Sequence, residues 1–236
     1  MQFHKEREKI LIIDFGSQVT KLIGRNIREL GVYSEIVTIK NFQKIKEFHL
    51  IKGIIFSGGP SSVTSKNFQT VSKKIFEKNI PILGICYGLQ LIAKVFGGKI
   101  KSLQKKREFG EAILLEKSKS VLFKSFFNKK KARVWMSHQD AVFKIPKEFT
   151  VIASTKESKM TIIENKKKNI YGLQFHPEVT HTVNGKQIFK NFLFLICKIK
   201  KKWRVTSEKN KIIDNIKKIV KKDKVICALS GGVDSS

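Results

Sequence analysis

Pro81-Ile82-Leu83-Gly84-Ile85-Cys86-Tyr87-Gly88-Leu89-Gln90-Leu91-Ile92-Ala93-Lys94-Val95-Phe96 is the stretch on which the fold turns. Its first five residues form an apolar run suited to a buried strand, and residues 89–96 carry apolar side chains at helical spacing. Between them stands one cysteine, with a glycine two positions before it and another two positions after. Glycines so placed permit a tight strand-to-helix turn that holds the intervening side chain out at the edge of a sheet. That is the logic of the Gly-x-Ser-x-Gly elbow, with sulfur in place of oxygen. The N-terminus of the following helix favours the thiolate. A free cysteine among apolar neighbours is usually a small buried hydrophobe, and that reading stands beside the first. The bracketing glycines favour a nucleophile at Cys86, whereas Cys197 in a Phe/Leu-rich helix and Cys227 in a strand run read as structural.

Working outward, the first hundred residues alternate short apolar runs with helix-period segments. Residues 9–13 (KILII) read as a buried strand ending at Asp14-Phe15-Gly16, and residues 17–30 as a helix with Ser17 as N-cap and Gly31 as its stop. Strand runs follow at 33–37, 53–57 and 81–85, with helix-like stretches at about 42–50, closed by His49, and 68–78. Such alternation predicts an α/β fold, a mostly parallel central sheet flanked by helices, with sites at the carboxyl ends of the strands. After Gly97-Gly98 the pattern shifts to shorter strands near 110–116, 119–124, 132–136, 149–154, 160–164 and 170–175. These predict an antiparallel extension packed onto the first sheet. Residues 186–199 return to helix and 200–206 read as a basic linker. A second helix, capped by Ser207, carries Ile212, Ile213, Ile216, Ile219 and Val220 on one face, and a strand run at 225–229 leads into a Gly-rich loop. The expected organisation is a leader at 1–8, a main domain at 9–202, and the truncated start of a second α/β domain at 203–236.

With 236 residues, 41% of them apolar, and 18 Phe, the chain has ample material for a packed core. No apolar run approaches the roughly 20 residues of a membrane span, and the charged N-terminus lacks signal-peptide anatomy. Three widely spaced cysteines offer neither a disulfide framework nor a CxxC metal pair, so a cytoplasmic, reduced setting is expected, with no metal site. The net charge of +29 invites a nucleic-acid reading. Yet 42 of the 48 basic residues are Lys, whereas phosphate and base recognition favour the planar, bidentate Arg. The Lys clusters fall in turns without stacking aromatics, so no membrane and no specific nucleic acid is expected as a partner.

A cysteine nucleophile needs a base, and the base needs an orienting group. His176-Pro177-Glu178 supplies both at the end of the run 171–175. In an extended chain, residues two apart point to the same side about 6–7 Å from each other, so imidazole and carboxylate can meet. Other histidines lie in the leader (His4), a polar loop (His181) and the run Trp135-Met136-Ser137-His138-Gln139-Asp140. Ser57-Gly58-Gly59-Pro60 follows another strand run. Consecutive glycines can aim backbone N–H groups at one point, as an oxyanion hole requires; a plain turn is the equally local alternative.

Together, Ser57-Gly58-Gly59-Pro60, Gly84-Ile85-Cys86-Tyr87-Gly88-Leu89-Gln90 and His176-Pro177-Glu178 resemble the class I (triad) glutamine amidotransferase family over residues 9–202. The resemblance implies hydrolysis of L-glutamine by a Cys86–His176–Glu178 triad, needing no cofactor, with an oxyanion hole at Gly59 and Tyr87. It also implies glutamine-binding roles for Gly58, Gln90, Ser137 and His138. Further on, Ser230-Gly231-Gly232-Val233-Asp234-Ser235-Ser236 resembles the pyrophosphate loop of N-type ATP pyrophosphatases and lacks the Gly-Lys-Ser/Thr ending of a Walker A loop. That order of motifs is similar to the glutamine-hydrolysing GMP synthetase family, as are the 135–138 and 176–182 runs; Gln139 departs where that family has Gly. This resemblance implies a longer enzyme that uses Mg-ATP bound at Ser230–Ser236 to activate XMP for amination, and that forms a homodimer through a further C-terminal domain. Two other readings stand beside it: a free-standing amidotransferase serving another synthase, and a basic nucleic-acid-binding protein on an inactive scaffold.

Overall fold

The computed structural model describes residues 7–102 and 108–226. The chain divides into two compact units, Met1–Lys202 and Trp203–Ser236. In the first, the elements in chain order are β1 (Lys9–Asp14), α1 (Thr20–Glu29), β2 (Ser34–Thr38), α2 (Ile39–Phe42), β3 (Ile51–Phe56), β4 (Ile82–Ile85), α3 (Tyr87–Val95), β5 (Lys99–Ser102), β6 (Glu108–Glu116), β7 (Lys131–His138), β8 (Asp140–Lys144), β9 (Thr150–Ser154), β10 (Ile162–Asn165), β11 (Ile170–Leu173) and α4 (Gly185–Asn191). Among the described residues, nine strands build one sheet in the order β2-β1-β3-β4-β11-β10-β9-β6-β7, and β5 and β8 form a separate ribbon. The pairings from β2 to β11 are parallel, and those from β11 through β10, β9 and β6 to β7 are antiparallel. Seven of the nine strands therefore run the same way, and β1, β3, β4, β11 and β7 all end at one edge.

Central strands are apolar along their whole length because both faces of the sheet are covered. Alternation decides which residue goes where. Ile10 and Ile12 of β1 join Ile23 and Ile27 of α1, Leu83 and Ile85 of β4, and Ile188 and Phe189 of α4 in the core on one face. Leu11 and Ile13 join Phe56, Tyr87, Leu89 and Ile92 on the other. A chain of edge-on aromatic contacts crosses that second core, Phe15–Phe56–Phe76–Phe96–Phe149, with centroids 5.1–5.9 Å apart.

Several expectations give way to other structure. The antiparallel strands do not pack onto the first sheet but extend its edge. Helix 42–50 is replaced by the single turn α2 followed by irregular chain that includes His49. Its apolar residues were correctly periodic for burial, since Phe42, Ile45 and Phe48 still pack in the second core. The helix at 68–78 shrinks to a 3-10 segment, Lys73–Glu77, capped by the Ser72 hydroxyl, and the strand at 119–124 becomes a 3-10 turn, Val121–Phe123, capped by Ser120. Helix α1 starts at Thr20, with the Ser17 hydroxyl accepting from the Val19 N–H at 3.3 Å. Past α4 the chain widens into a π turn at Phe192–Ile196.

In the second unit, α5 (Val205–Val220) begins two residues ahead of Ser207. Residues 224–226 form no strand; the rest of the expected run, Cys227–Leu229, and the loop Ser230–Ser236 lie outside the described residues. The apolar face of α5 is exposed, Ile219 at 72% and Ile216 at 53%, as is Ile226 at 96%. A helix of this length whose apolar side chains are exposed draws little stability from burial and is marginal in water. Amide hydrogen exchange should therefore protect β1, β3 and β4 to the limit of global unfolding while α5 exchanges orders of magnitude faster; equal protection in the two units would contradict the division.

Candidate active site

The elbow between β4 and α3 sets the site. Cys86 adopts φ 52° and ψ −103°, a region non-glycine residues seldom occupy, at a cost of order 1–3 kcal/mol. The turn is possible because the two flanking glycines meet. A Cβ on Gly84 would lie 2.5 Å from the Gly88 carbonyl carbon, and one on Gly88 would lie 2.6 Å from the Phe56 carbonyl oxygen. The Cys86 N–H donates to the Leu173 carbonyl at the end of β11, at 2.6 Å, so Cys86 is tied to the strand that leads to His176. Tyr87 opens α3, and N–H groups in a first helical turn have no partner within the helix. Its ring turns away from the site onto Phe15, with centroids 5.1 Å apart, and its hydroxyl donates to the Gln69 carbonyl at 2.6 Å. Burial pushes that phenol up to about 12, so it stays a donor.

His176 and Glu178 follow β11. The His176 Nδ1 to Glu178 Oε1 distance is 2.7 Å, both groups are buried, and the imidazole also hydrogen-bonds to the Cys86 side chain. Burial pulls the imidazolium down, but the hydrogen bonds to Cys86 and Glu178 and the Glu178 charge outweigh it, so His176 is pushed up to about 10. Its backbone is locked against β7: the His176 N–H donates to the Trp135 carbonyl at 3.1 Å, while the Thr182 hydroxyl donates to the His176 carbonyl at 2.6 Å and accepts from the Trp135 N–H at 3.0 Å. Glu178 Oε2 is buried with no hydrogen-bond partner among the described residues.

Gly58 and Gly59 sit on the loop after β3. A Cβ on Gly58 would be 3.1 Å from His176 Cε1 and 3.7 Å from Cys86 Cβ, and one on Gly59 would be 2.6 Å from the Phe15 carbonyl oxygen. The loop thus touches both Cys86 and His176 while resting on the residue after β1. Ser57 joins the two loops, its hydroxyl accepting from the Phe15 N–H at 2.9 Å and donating to the Gly58 carbonyl at 2.7 Å.

Ser137 is exposed at the end of β7, and its carbonyl oxygen lies 3.6 Å from the Cys86 sulfur. His138 and Gln90 are differently disposed. Both ring nitrogens of His138 are engaged inside the protein, with the Asp140 carbonyl and the Glu108 carboxylate, each at 3.0 Å. The Gln90 amide donates to the Asp140 carbonyl at 2.7 Å and to Gln174 Oε1 at 3.5 Å. Both side chains are buried, with these polar atoms engaged inside the protein. Gln139 has no left-handed backbone, so the turn at this position does not require glycine. Gln174, absent from the residues that the sequence motifs single out, is fully buried and donates to the Cys86 sulfur at 3.7 Å. Its signal was its place two residues before His176, hence on the same side of an extended chain. Among the described residues no cluster of His, Cys, Asp and Glu could hold a metal ion, and no helix is long and apolar enough to cross a membrane.

A cysteine on a strained elbow, faced by a histidine that a buried carboxylate orients, can perform acyl transfer through a thioester. The family model for class I glutamine amidotransferases matches residues 11–196. The chain belongs to that family. Relatives of this amidotransferase chain include the glutamine-hydrolysing GMP synthases of Clostridium tetani, 49% identical over 232 residues, and Brachyspira hyodysenteriae, 50% identical over 230. They align with 98% and 97% of the chain, which in turn spans 45% and 44% of their own length, somewhat less than half. A crystal structure of a GMP synthase component from Thermoplasma acidophilum is 31% identical with a TM-score of 0.70, covering 89% of this chain and 100% of that one.

The raised His176 implies a pH-dependent contribution to stability. A group whose folded pKa exceeds its unfolded value stabilises fully below the unfolded value, near 6.5, and the contribution is lost as pH rises toward about 10. The stability gap between wild type and His176→Asn in urea unfolding should therefore narrow steadily between pH 6.5 and 10. A gap independent of pH over that window would contradict the Cys86–His176–Glu178 coupling.

Proposed function

We propose that Cys86, His176 and Glu178 hydrolyse L-glutamine to glutamate and ammonia without a cofactor. The observation that carries this reading is the cysteine held at positive φ between Gly84 and Gly88, with His176 hydrogen-bonded to it and oriented by Glu178. The sulfur, as thiolate, attacks the carboxamide carbon of glutamine. The resulting oxyanion is received by the N–H groups of Gly59 and Tyr87, donors that need no reorganisation when the charge develops. Held as imidazolium beside the sulfur, His176 already carries the proton that the departing nitrogen needs. As the carbon–nitrogen bond breaks, that proton passes to it and ammonia leaves, with a γ-glutamyl thioester remaining on Cys86. Neutral His176 then takes a proton from water, hydroxide equivalent adds to the thioester, and the sulfur leaves as glutamate forms. Glu178 keeps the imidazole in one orientation throughout and balances its charge. Gly58 and Ser137 flank the position of the amide; Gln90 and His138 act from behind.

The ammonia, on this reading, goes to a synthetase portion of the same protein. The names of the Clostridium and Brachyspira relatives support GMP synthesis, in which ATP activates XMP and ammonia displaces AMP to give GMP. Residues 203–236 would begin that ATP-binding portion, with Ser230–Ser236 as its pyrophosphate loop and Mg-ATP and XMP as its substrates. Homodimerisation and a cytoplasmic location complete the proposal.

Cys86→Ala should lower glutamate release by about three orders of magnitude or more, and Glu178→Gln by about two to four, with KM for glutamine little changed in the second. Glutamate release by Cys86→Ala at the wild-type rate would refute the assignment.

A further inference from the structure

We propose that Glu108 is a positioning residue for the glutamine site, holding His138 so that the turn Ser137–Asp140 keeps its carbonyl groups against Cys86 and Gln90. The inference rests on the glutaminase reading and extends it to a residue outside the triad, the oxyanion hole and the substrate contacts.

Glu108 opens β6 and lies directly across from His138, the last residue of β7. A buried carboxylate is expensive unless both oxygens are satisfied. Here Oε2 faces His138 Nε2 at 3.0 Å and Oε1 accepts from the Thr155 hydroxyl at 2.8 Å. The Thr155 hydroxyl in turn accepts from the Ser158 N–H at 2.8 Å. Three segments distant in sequence thus converge on one buried polar point at the sheet edge where Cys86 stands, although filling that space would take only apolar side chains.

From that point the hydrogen bonds run to the nucleophile. His138 Nδ1 meets the Asp140 carbonyl, which also accepts from Gln90 Nε2. The same Gln90 amide reaches Gln174, and Gln174 donates to the Cys86 sulfur. At the other end of the turn, the Ser137 carbonyl oxygen stands 3.6 Å from the Cys86 sulfur. The Asp140 carboxylate is held from outside by the Ser62 hydroxyl. With both ring nitrogens engaged, His138 has nothing left to offer a ligand; it transmits the position of Glu108 to the turn. Removing the carboxylate frees the ring, and the turn loses its inner anchor. The sulfur itself keeps His176, so its intrinsic reactivity stays while the placement of a substrate amide is lost.

Two reagents separate these effects on the full chain: methyl methanethiosulfonate, which needs only a reactive sulfur, and a diazoketone analogue of glutamine, which must also be placed. Glu108→Ala should lose about 10- to 100-fold in the rate of Cys86 labelling by the analogue and keep its rate with the small reagent. Glu108→Gln, whose amide can still bridge Thr155 and His138, should retain most of the analogue rate. Thr155→Val, a milder change that spares the fold if Glu108→Ala does not, should show the same selective loss on a smaller scale. An undiminished analogue rate in Glu108→Ala and Thr155→Val, or parallel loss with both reagents, would overturn the proposal. Wild-type protein that reacts with the small reagent but not with the analogue would instead refute the glutaminase reading, and this inference with it.

Discussion

Cys86 can hold its positive φ only because α3 leaves β4 at a distance that no side chain on Gly84 or Gly88 would permit. That close crossing seats the helix on Phe56 of β3, delivers the Cys86 N–H to the end of β11, and leaves the sulfur at the sheet edge. Three neighbouring strands are thereby fixed in relation to one atom. Backbone strain of this kind persists where packing over-determines it, and the packing here is dense: Ile82, Leu83, Ile85, Leu89, Leu91 and Ile92 are all fully buried. The core on both faces of the sheet serves as the clamp for the elbow.

The direction of the strands explains why so many polar groups meet there. Because seven of nine strands run the same way, residues after β1, β3, β4, β11 and β7 gather at one edge although they are far apart in the chain. Phe15 and Ser57 join the first two loops, Gly58 touches both Cys86 and His176, and Trp135 and Thr182 bind the His176 backbone. The antiparallel half of the sheet is thus part of the site's construction: β7 returns to that edge only because β10 and β6 supply the reversals. The raised pKa of His176 follows from this convergence, since its hydrogen bonds to Cys86 and Glu178 and the Glu178 charge outweigh a desolvation that alone would have lowered it.

Much of this was legible in the residues. The run at 9–13, the elbow at 84–88 and the spacing of His176 and Glu178 each carry a local signal: a continuous apolar stretch, a glycine frame, a two-residue interval. What was not legible depended on partners distant in sequence. Gln174 reads as one polar residue in a strand until Cys86, 88 positions away, is placed beside it. Glu108 looks like an ordinary charge until β7 returns His138 to face it, and the engagement of both His138 nitrogens depends on that same pairing. The helices expected near 42–50 and 68–78 failed for another reason. Phe42, Ile45, Phe48, Val71, Ile75 and Phe76 are periodic because they cover the sheet, and irregular chain with 3-10 turns covers it as well as a helix does. Apolar spacing reported burial there, not backbone conformation.

The proposed hydrolysis runs through covalent chemistry at Cys86. The most direct test is intact-mass and peptide mass spectrometry of protein mixed with glutamine and quenched in acid during turnover. A γ-glutamyl adduct is expected on the peptide bearing Cys86, labile to hydroxylamine as a thioester is, and none on Cys197. Glutamate accumulating with no adduct on Cys86 at any quench time, or an adduct on another residue, would contradict it.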